Sequence, residues 1–484
     1  MNAWLTTLLV TTANLDTQRV SALYNSLDPL SISQALAFHE LYPDSEEGKK
    51  ALARLKKWFN ISSELEISSL TGLINRLQGV KEIFSEKDLQ LIEKLAAHLP
   101  NRKLKGYVAT REEEVTALPS DEIDLGKALI LSQLNSDAYQ ARIYSAMLDL
   151  MALQILARLP IDATPLQKIQ ETNRFIFDEM HFRFPPQSVY AENIDLYTFL
   201  PSVMDNHLGV CLGVTALYLA IAQRIDLPLE IITPPGHIYI RYRDATLKVN
   251  IETTARGIDL PDETYLSVQN SKLHERTLKE VVGMTHVNQA STYLYKAEYV
   301  KAAATYEKAL PYMPGDPLVR ELLGYAYLFT EKKDQGIALL KGIQKGIHAI
   351  AEDFLAGKVD LEGIEAAFML VDENRDSILA KQKRLEAIIK KYPDFRDGLH
   401  QLAITWIQLN RSREAITALT HCYDLDPTDV VAAYYLAVLH GQREDFKKCW
   451  YYLKQAEALT CAENFIPQTL KDLRQSLLAH YPET

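Results

Sequence analysis

From Asp16 to Leu159 apolar residues recur mostly at three- and four-residue spacing, as in Ala51, Leu55 and Trp58, and again in Tyr144, Leu148, Met151, Ile155 and Leu159. That period predicts helices, since such positions fall on one face of a 3.6-residue turn. The polar stretch Pro100 to Asp124 interrupts it and is expected to be a hinge or long loop, its REEE run lying in solvent. From Asp162 to Thr277 the pattern changes. A helix is predicted over Pro165 to Met180, then a loop, HFRFPPQSVYAEN, in which two prolines stop regular structure. A second helix should begin at Val210 or Cys211, and three strands follow in LEIIT, HIYIRY and LKVNIET.

The last zone, Gly283 to Ala479, carries a repeat. In a 34-residue register, small residues at the eighth, twentieth and twenty-seventh positions and proline at the thirty-second give Ala290, Ala302, Ala309 and Pro314. The next unit has Gly324, Gly336 and Ile343. Two later units have Ala403, Ala415, Cys422 and Pro427, then Ala437, Cys449, Ala456 and Cys461. This register resembles the tetratricopeptide repeat, whose small residues let antiparallel helices approach while aromatics such as Tyr293, Tyr306, Tyr327 and Trp406 fill the gaps between them. Ile343, His348 in place of proline, the bulkier Cys422 and Cys449, and Cys461 in place of proline depart from it. The segment Ala351 to Ala387 does not fit a unit and is expected to be a distorted repeat or spacer helix.

Composition bounds these readings. At 484 residues the chain exceeds one hydrophobic core. The boundaries drawn are a helical region at 1–135, a mixed core at 136–280 and a helical repeat domain at 281–484. A hydrophobic content of 47% and a charged content of 24% suit a globular chain. The net charge of -11 disfavours nucleic acid or an acidic membrane as partner. Four cysteines with no CxxC pair suit a reducing compartment, and the N-terminal MNAWLTTLLVTTANL lacks a basic n-region, so the expected location is cytoplasmic.

Chemistry concentrates in residues 209–254. Cys211 opens an apolar helix, where unpaired NH groups and the positive helix end favour a thiolate; burial as a small hydrophobe is the alternative. If the hairpin loop is even and centred between Asp244 and Ala245, His237 faces Glu252, Ile238 faces Ile251, Ile240 faces Val249 and Tyr242 faces Leu247. One sheet face is then apolar and the other carries His237, Tyr239, Arg241, Lys248, Asn250 and Glu252. Opposed side chains lie close enough for Glu252 to fix the imidazole, with Asn250 as the alternative orienting residue. His39-Glu40 lacks the second histidine of a zincin, no phosphate-binding glycine loop occurs, and Cys449 and Cys461 are too distant from other ligand types to suggest zinc, so neither metal nor cofactor is expected.

These residues resemble the transglutaminase-like core of the papain-type cysteine hydrolases, which carry Gly-x-Cys at a helix start, His at a strand start and Asp-Pro-Thr at the end of the next strand. Gly209, Val210 and Cys211 match the first; His237, Ile238 and Tyr239 the second; Glu252, Thr253 and Thr254 the third. The phrase GVCLGVTALYLAIAQRIDLPLEIITPPGH is similar to the bacterial branch related to the Sir-B-type invasion-gene regulator, often fused to tetratricopeptide repeats. Glu replaces Asp, and Tyr239 stands where tryptophan is usual. The resemblance implies an α+β fold: a helical N-terminal region, a papain/transglutaminase-like core with a small antiparallel sheet, and an all-α repeat superhelix. It implies a thiol-dependent hydrolase or acyltransferase acting on peptide or protein amides through Cys211, His237 and Glu252. The Cys211 NH would serve as oxyanion donor, with Asn206 or His207 as side-chain candidates, and the repeats would recruit a protein partner. Some members of the branch lack the cysteine, so the alternative is a non-catalytic scaffold whose repeats mediate protein–protein interaction.

Overall fold

A computed structural model describes residues 17–29, 31–59, 84–134, 137–186, 193–268, 270, 272–343, 348–371, 374–461 and 466–481. The N-terminal 15 residues, read above for a targeting signal, lie outside them. The chain forms two compact units: Met1–Tyr190 with Leu196–Leu229 and Thr253–Gly257, and Ala191–Asp195 with Glu230–Glu252 and Ile258–Thr484.

The longer helices of the first unit are α1 (Ile32–Leu41), α2 (Glu46–Phe59), α3 (Glu86–Leu95), α4 (Leu125–Gln133), α5 (Ala138–Arg158), α6 (Pro165–Asn173), α7 (Leu200–Asn206) and α8 (Cys211–Arg224). Sequence sets their starts. Thr164 and Gln167 form a reciprocal capping box before Pro165, a residue that has no NH to satisfy in a first turn. The helix predicted to reach Met180 does so in altered form, since Arg174–Glu179 continues α6 with π-type turns. Helix α8 is apolar nearly all round because it is central, packing against α4, α5 and α7.

The segment Pro100 to Asp124 differs from the expected loop. It folds into short helical turns at Pro100–Lys103, Lys105–Val108, Glu112–Thr116 and Ser120–Glu122. Buried polar bonds explain this order in a polar stretch. Asn101 donates to Asp124 Oδ2 at 2.8 Å, and Asp124 meets Arg224 Nη1 of α8 at 3.4 Å. Arg224 Nε also reaches Asp149 Oδ1 at 2.8 Å, with Arg102 on the other oxygen. Burial opposes ionisation of Asp124, but Arg224 and Asn101 outweigh it and hold the carboxyl below its ordinary range.

The second unit contains a four-stranded antiparallel sheet of β1 (Glu230–Thr233), β2 (Tyr239–Arg243), β3 (Lys248–Ile251) and β4 (His274–Arg276), in the order β3-β2-β1-β4. Helices follow: α9 (Leu278–Tyr295), α10 (Tyr299–Ala309), α11 (Pro317–Leu328), α12 (Lys333–Lys341), α13 (Ala349–Leu355), α14 (Leu361–Phe368), α15 (Arg375–Lys391), α16 (Arg396–Gln408), α17 (Ser412–Leu425), α18 (Val430–Gln442), α19 (Phe446–Cys461) and α20 (Gln468–His480). Four pairs of helices in contact, α9/α10, α11/α12, α16/α17 and α18/α19, coincide with the four repeat units read from sequence. The small residues sit where the helices touch: Ala290, Ala302, Ala309, Ala403, Ala415, Ala437 and Ala456 are buried. A Cβ on Gly336 would lie 2.7 Å from the Gly324 carbonyl oxygen, so only glycine permits that approach. Cys422 and Cys449 occupy such positions and are fully buried. The segment without a clean repeat holds α13, α14 and the start of the long α15.

Candidate functional site

Cys211 is the first residue of α8 and is partly exposed. Its position is set by the preceding backbone. The Arg183 NH donates to His207 O and the Gly209 NH to Arg183 O, each at 3.0 Å, and the Val210 NH donates to Tyr197 O at 2.8 Å. Val210 is extended and offers no side-chain cap, so α8 opens with NH groups that no capping side chain occupies. Gly213 permits this packing, because a Cβ there would lie 2.2 Å from Tyr197 O.

His207 is left-handed, with φ of 54°. Its ring stacks on Phe182 with centroids 4.6 Å apart, and its Nδ1 lies 2.7 Å from Met180 O. Asn206 is the exposed last residue of α7.

In the second unit His237 and Glu252 meet: Nε2 lies 2.7 Å from Glu252 Oε2. The register that brings them together is not the expected one. Ile240 pairs with Ile251, Arg241 with Asn250, Tyr242 with Val249 and Arg243 with Lys248, a slip of two residues. Asp244 causes it by accepting from the NH groups of Thr246 and Leu247 at 2.7 and 2.8 Å, which centres the loop between Ala245 and Thr246. A slip of two preserves the faces, so His237 and Glu252 stay on one side and meet diagonally rather than directly.

That face is buried rather than solvated. Tyr239, Arg241, Asn250 and Glu252 are all nearly inaccessible. The segment Asp262–Tyr265 supplies their partners. Arg241 donates to Asp262 Oδ1 at 2.5 Å and to Asn250 Oδ1 at 2.8 Å. Asn250 donates to Leu260 O and Asp262 Oδ1, so its side chain is committed to this network. Burial opposes ionisation of Asp262, but hydrogen bonds from Lys248, Asn250 and Tyr239 outweigh it and hold the carboxyl at about 2.

Tyr265 is the site residue the sequence did not suggest. Its hydroxyl donates to Glu252 Oε2 at 2.5 Å, and its ring stacks on both Tyr239 and His237, at 4.3 and 5.7 Å. Burial first, then the bond to Glu252, pushes the phenol up and keeps it protonated. Glu252 therefore accepts from a phenol and an imidazole through one oxygen, which fixes the ring plane of His237. The only signal in the sequence was an aromatic in the polar run PDETY, which no periodicity links to the hairpin.

A second cluster, formed by His400, Cys422 and Asp429 on α16, α17 and the cap of α18, brings together three atoms of metal-ligand type within 4.8 Å. Asp429 caps α18 through the Ala432 NH at 2.9 Å and accepts from His400 Nε2 at 2.5 Å. Cys422 donates to it at 3.5 Å, and burial, then the Asp429 charge, pushes the thiol up. These bonds tie three helices together. Spacing in sequence gave no hint of the cluster, since the residues come from three different elements.

A family model described as transglutaminase-like superfamily matches residues 142–289, from α5 through most of α9. The core is transglutaminase-like. It spans the helix that begins at Cys211 and the sheet that carries His237 and Glu252. No curated protein matches the chain. Among solved structures, one titled "Crystal structure of MamA" is 16% identical over 36% of this chain and 96% of its own, with a TM-score of 0.22. "MamA 41-end from Desulfovibrio magneticus RS-1" is 14% identical over 38% of this chain and 97% of its own, with a TM-score of 0.22. "Crystal structure of APC/C hetero-tetramer Cut9-Hcn1" is 12% identical over 93% and 90%, with a TM-score of 0.21. Among the described residues no helix is long and apolar enough to cross a membrane.

Proposed function

We propose that the chain is a cytoplasmic protein-interaction scaffold, in which a transglutaminase-like core of the Sir-B-related branch is joined to a tetratricopeptide-like array that binds a protein partner. The observation that supports it is a single core running from α11 to α20. The helix pairs from α11/α12 onward share it, while α9/α10 packs with α11 in a second cluster; such stacking is how repeats build extended recognition surfaces. Exposed apolar side chains on the array, among them Val300, Leu318, Ile404 and Tyr451, offer contact points. A photo-cross-linking amino acid at Leu318 or Tyr451 should capture a defined protein in the source cells. Capture of nothing from either position would sink this reading.

A second reading is favoured by the His237–Glu252 bond and by the helix-start position of Cys211. It is a thiol-dependent hydrolase or acyltransferase acting on peptide or protein amides, with Cys211, His237 and Glu252 as catalytic residues. The Cys211 thiolate would attack the carbonyl carbon, and the C–N bond would break as His237 protonates the leaving amine. His237 would then take a proton from water or an acceptor amine, which attacks the thioester and restores the thiol. Glu252 would hold the imidazole, and the Cys211 NH would stabilise the oxyanion, assisted by Asn206 or His207. Asn250 is the alternative orienting group. A Cys211→Ala variant with undiminished amide hydrolysis and amine incorporation would eliminate this chemistry.

A further inference from the structure

Where α13, α14 and α15 interrupt the repeats, they enclose a cavity of about 560 Å³ together with α9, α11 and α16. This volume falls within the roughly 300–1,000 Å³ of ligand sites. Three aromatic rings line it, with Phe368 6.3 Å from Tyr295 and 5.1 Å edge-on to Tyr325 between centroids. Its polar groups are unequal. Glu321 is saturated, accepting from the Tyr325 hydroxyl at 2.5 Å and from the His348 NH and Nδ1 at 3.1 and 2.9 Å. Lys381 is likewise held, donating to Ala367 O and Gln401 Oε1 at 3.2 and 3.1 Å. Asp397 is different. Among the described residues its carboxyl accepts no hydrogen bond; burial and the Asp353 charge push it up, against the charges of His400, Lys381 and His348.

A carboxylate without a donor beside aromatic faces is the chemistry that recognises an organic cation, because the ring quadrupoles and the carboxylate attract it together. Lys381 makes no hydrogen bond to Asp397, two of its three N–H groups being directed at Ala367 O and Gln401 Oε1, and acts on it through charge alone. We propose that the cavity receives the basic side chain of an extended, otherwise apolar segment of a partner protein, its cation bonded to Asp397 and its stem against Phe368 and Tyr325. The inference rests on the partner-binding reading and names what the partner presents.

The test uses the full chain and fluorescence anisotropy with a labelled heptapeptide, Gly-Leu-Phe-Arg-Phe-Leu-Gly, against its citrulline analogue, which keeps the shape and loses the charge. The arginine peptide should bind at least about tenfold more tightly, the range of one charge-assisted hydrogen bond. Asp397→Asn should abolish that preference while keeping the wild-type melting profile or better, and Phe368→Leu should weaken the arginine peptide. Equal binding of the two peptides, no binding of either, or a preference that survives Asp397→Asn overturns the proposal. Free agmatine binding as tightly as the peptide overturns the assignment to a partner's side chain. A cross-linked partner that stays bound to Asp397→Asn would leave the partner-binding reading standing while the cavity proposal fails. Peptide discrimination without any cross-linked partner would show the reverse.

Discussion

Replacing Glu252 with alanine removes one buried oxygen on which two donors converge, the Tyr265 hydroxyl at 2.5 Å and His237 Nε2 at 2.7 Å. A buried donor that loses its acceptor costs about 1–3 kcal/mol. The two donors are not equal. The His237 side chain is 25% exposed and can recover water, whereas Tyr265 lies between Tyr239 and His237. The sum expected is about 2–3 kcal/mol, most of it from Tyr265, equivalent to roughly 30- to 150-fold in local opening. Hydrogen–deuterium exchange across Tyr239–Arg243 and Lys248–Ile251 reads that opening directly. Tyr265→Phe should cost about 1 kcal/mol, and the double variant should cost less than the sum, because each partner alone is what strands the other. Exchange within about twofold of wild type in Glu252→Ala, or strict additivity with Tyr265→Phe, would refute the picture of a carboxylate that organises this face.

Three further outcomes follow from packing and charge. Arg224→Met leaves Asp124 and Asp149 buried without their main counter-ion and should destabilise the first unit by about 3–5 kcal/mol in calorimetry. Gly213→Ala places a methyl 2.2 Å from Tyr197 O and should cost about 1–3 kcal/mol, whereas Gly315→Ala meets nothing within 4 Å and should stay within about 0.5 kcal/mol of wild type. Burial raises the Asp397 carboxyl, so its contribution to stability is present below the unfolded carboxylate range and is lost as pH rises through the folded value. Asp397→Asn should therefore melt higher than wild type at neutral pH and equally at acidic pH; a lower melting point at neutral pH would contradict this.

Periodicity and small-residue spacing made the helix pairs legible, because a close helix crossing demands Ala or Gly at fixed intervals and Ala302, Ala415 and Gly336 supply them. The start of α8 and the two faces of the hairpin were legible for the same reason. The hairpin register was not, because it depends on one side chain, Asp244, accepting from two backbone amides in the turn. Pro100 to Asp124 looked like a loop because its order comes from polar atoms, Asn101 and Asp124, that a hydrophobicity pattern counts as surface. Arg241, read as part of a polar sheet face, is buried and bonded to Asp262. Tyr265 and the Asp397 cavity are products of tertiary packing between segments that share no local pattern.

The most direct test of the scaffold is to quantify the partner cross-linked to the full chain in source cells for the wild type and for Cys211→Ala. A scaffold predicts equal recovery of the same protein from both. Loss of the partner from Cys211→Ala at unchanged protein level, together with amide turnover that only the wild type supports, would contradict it and place the function in the thiol.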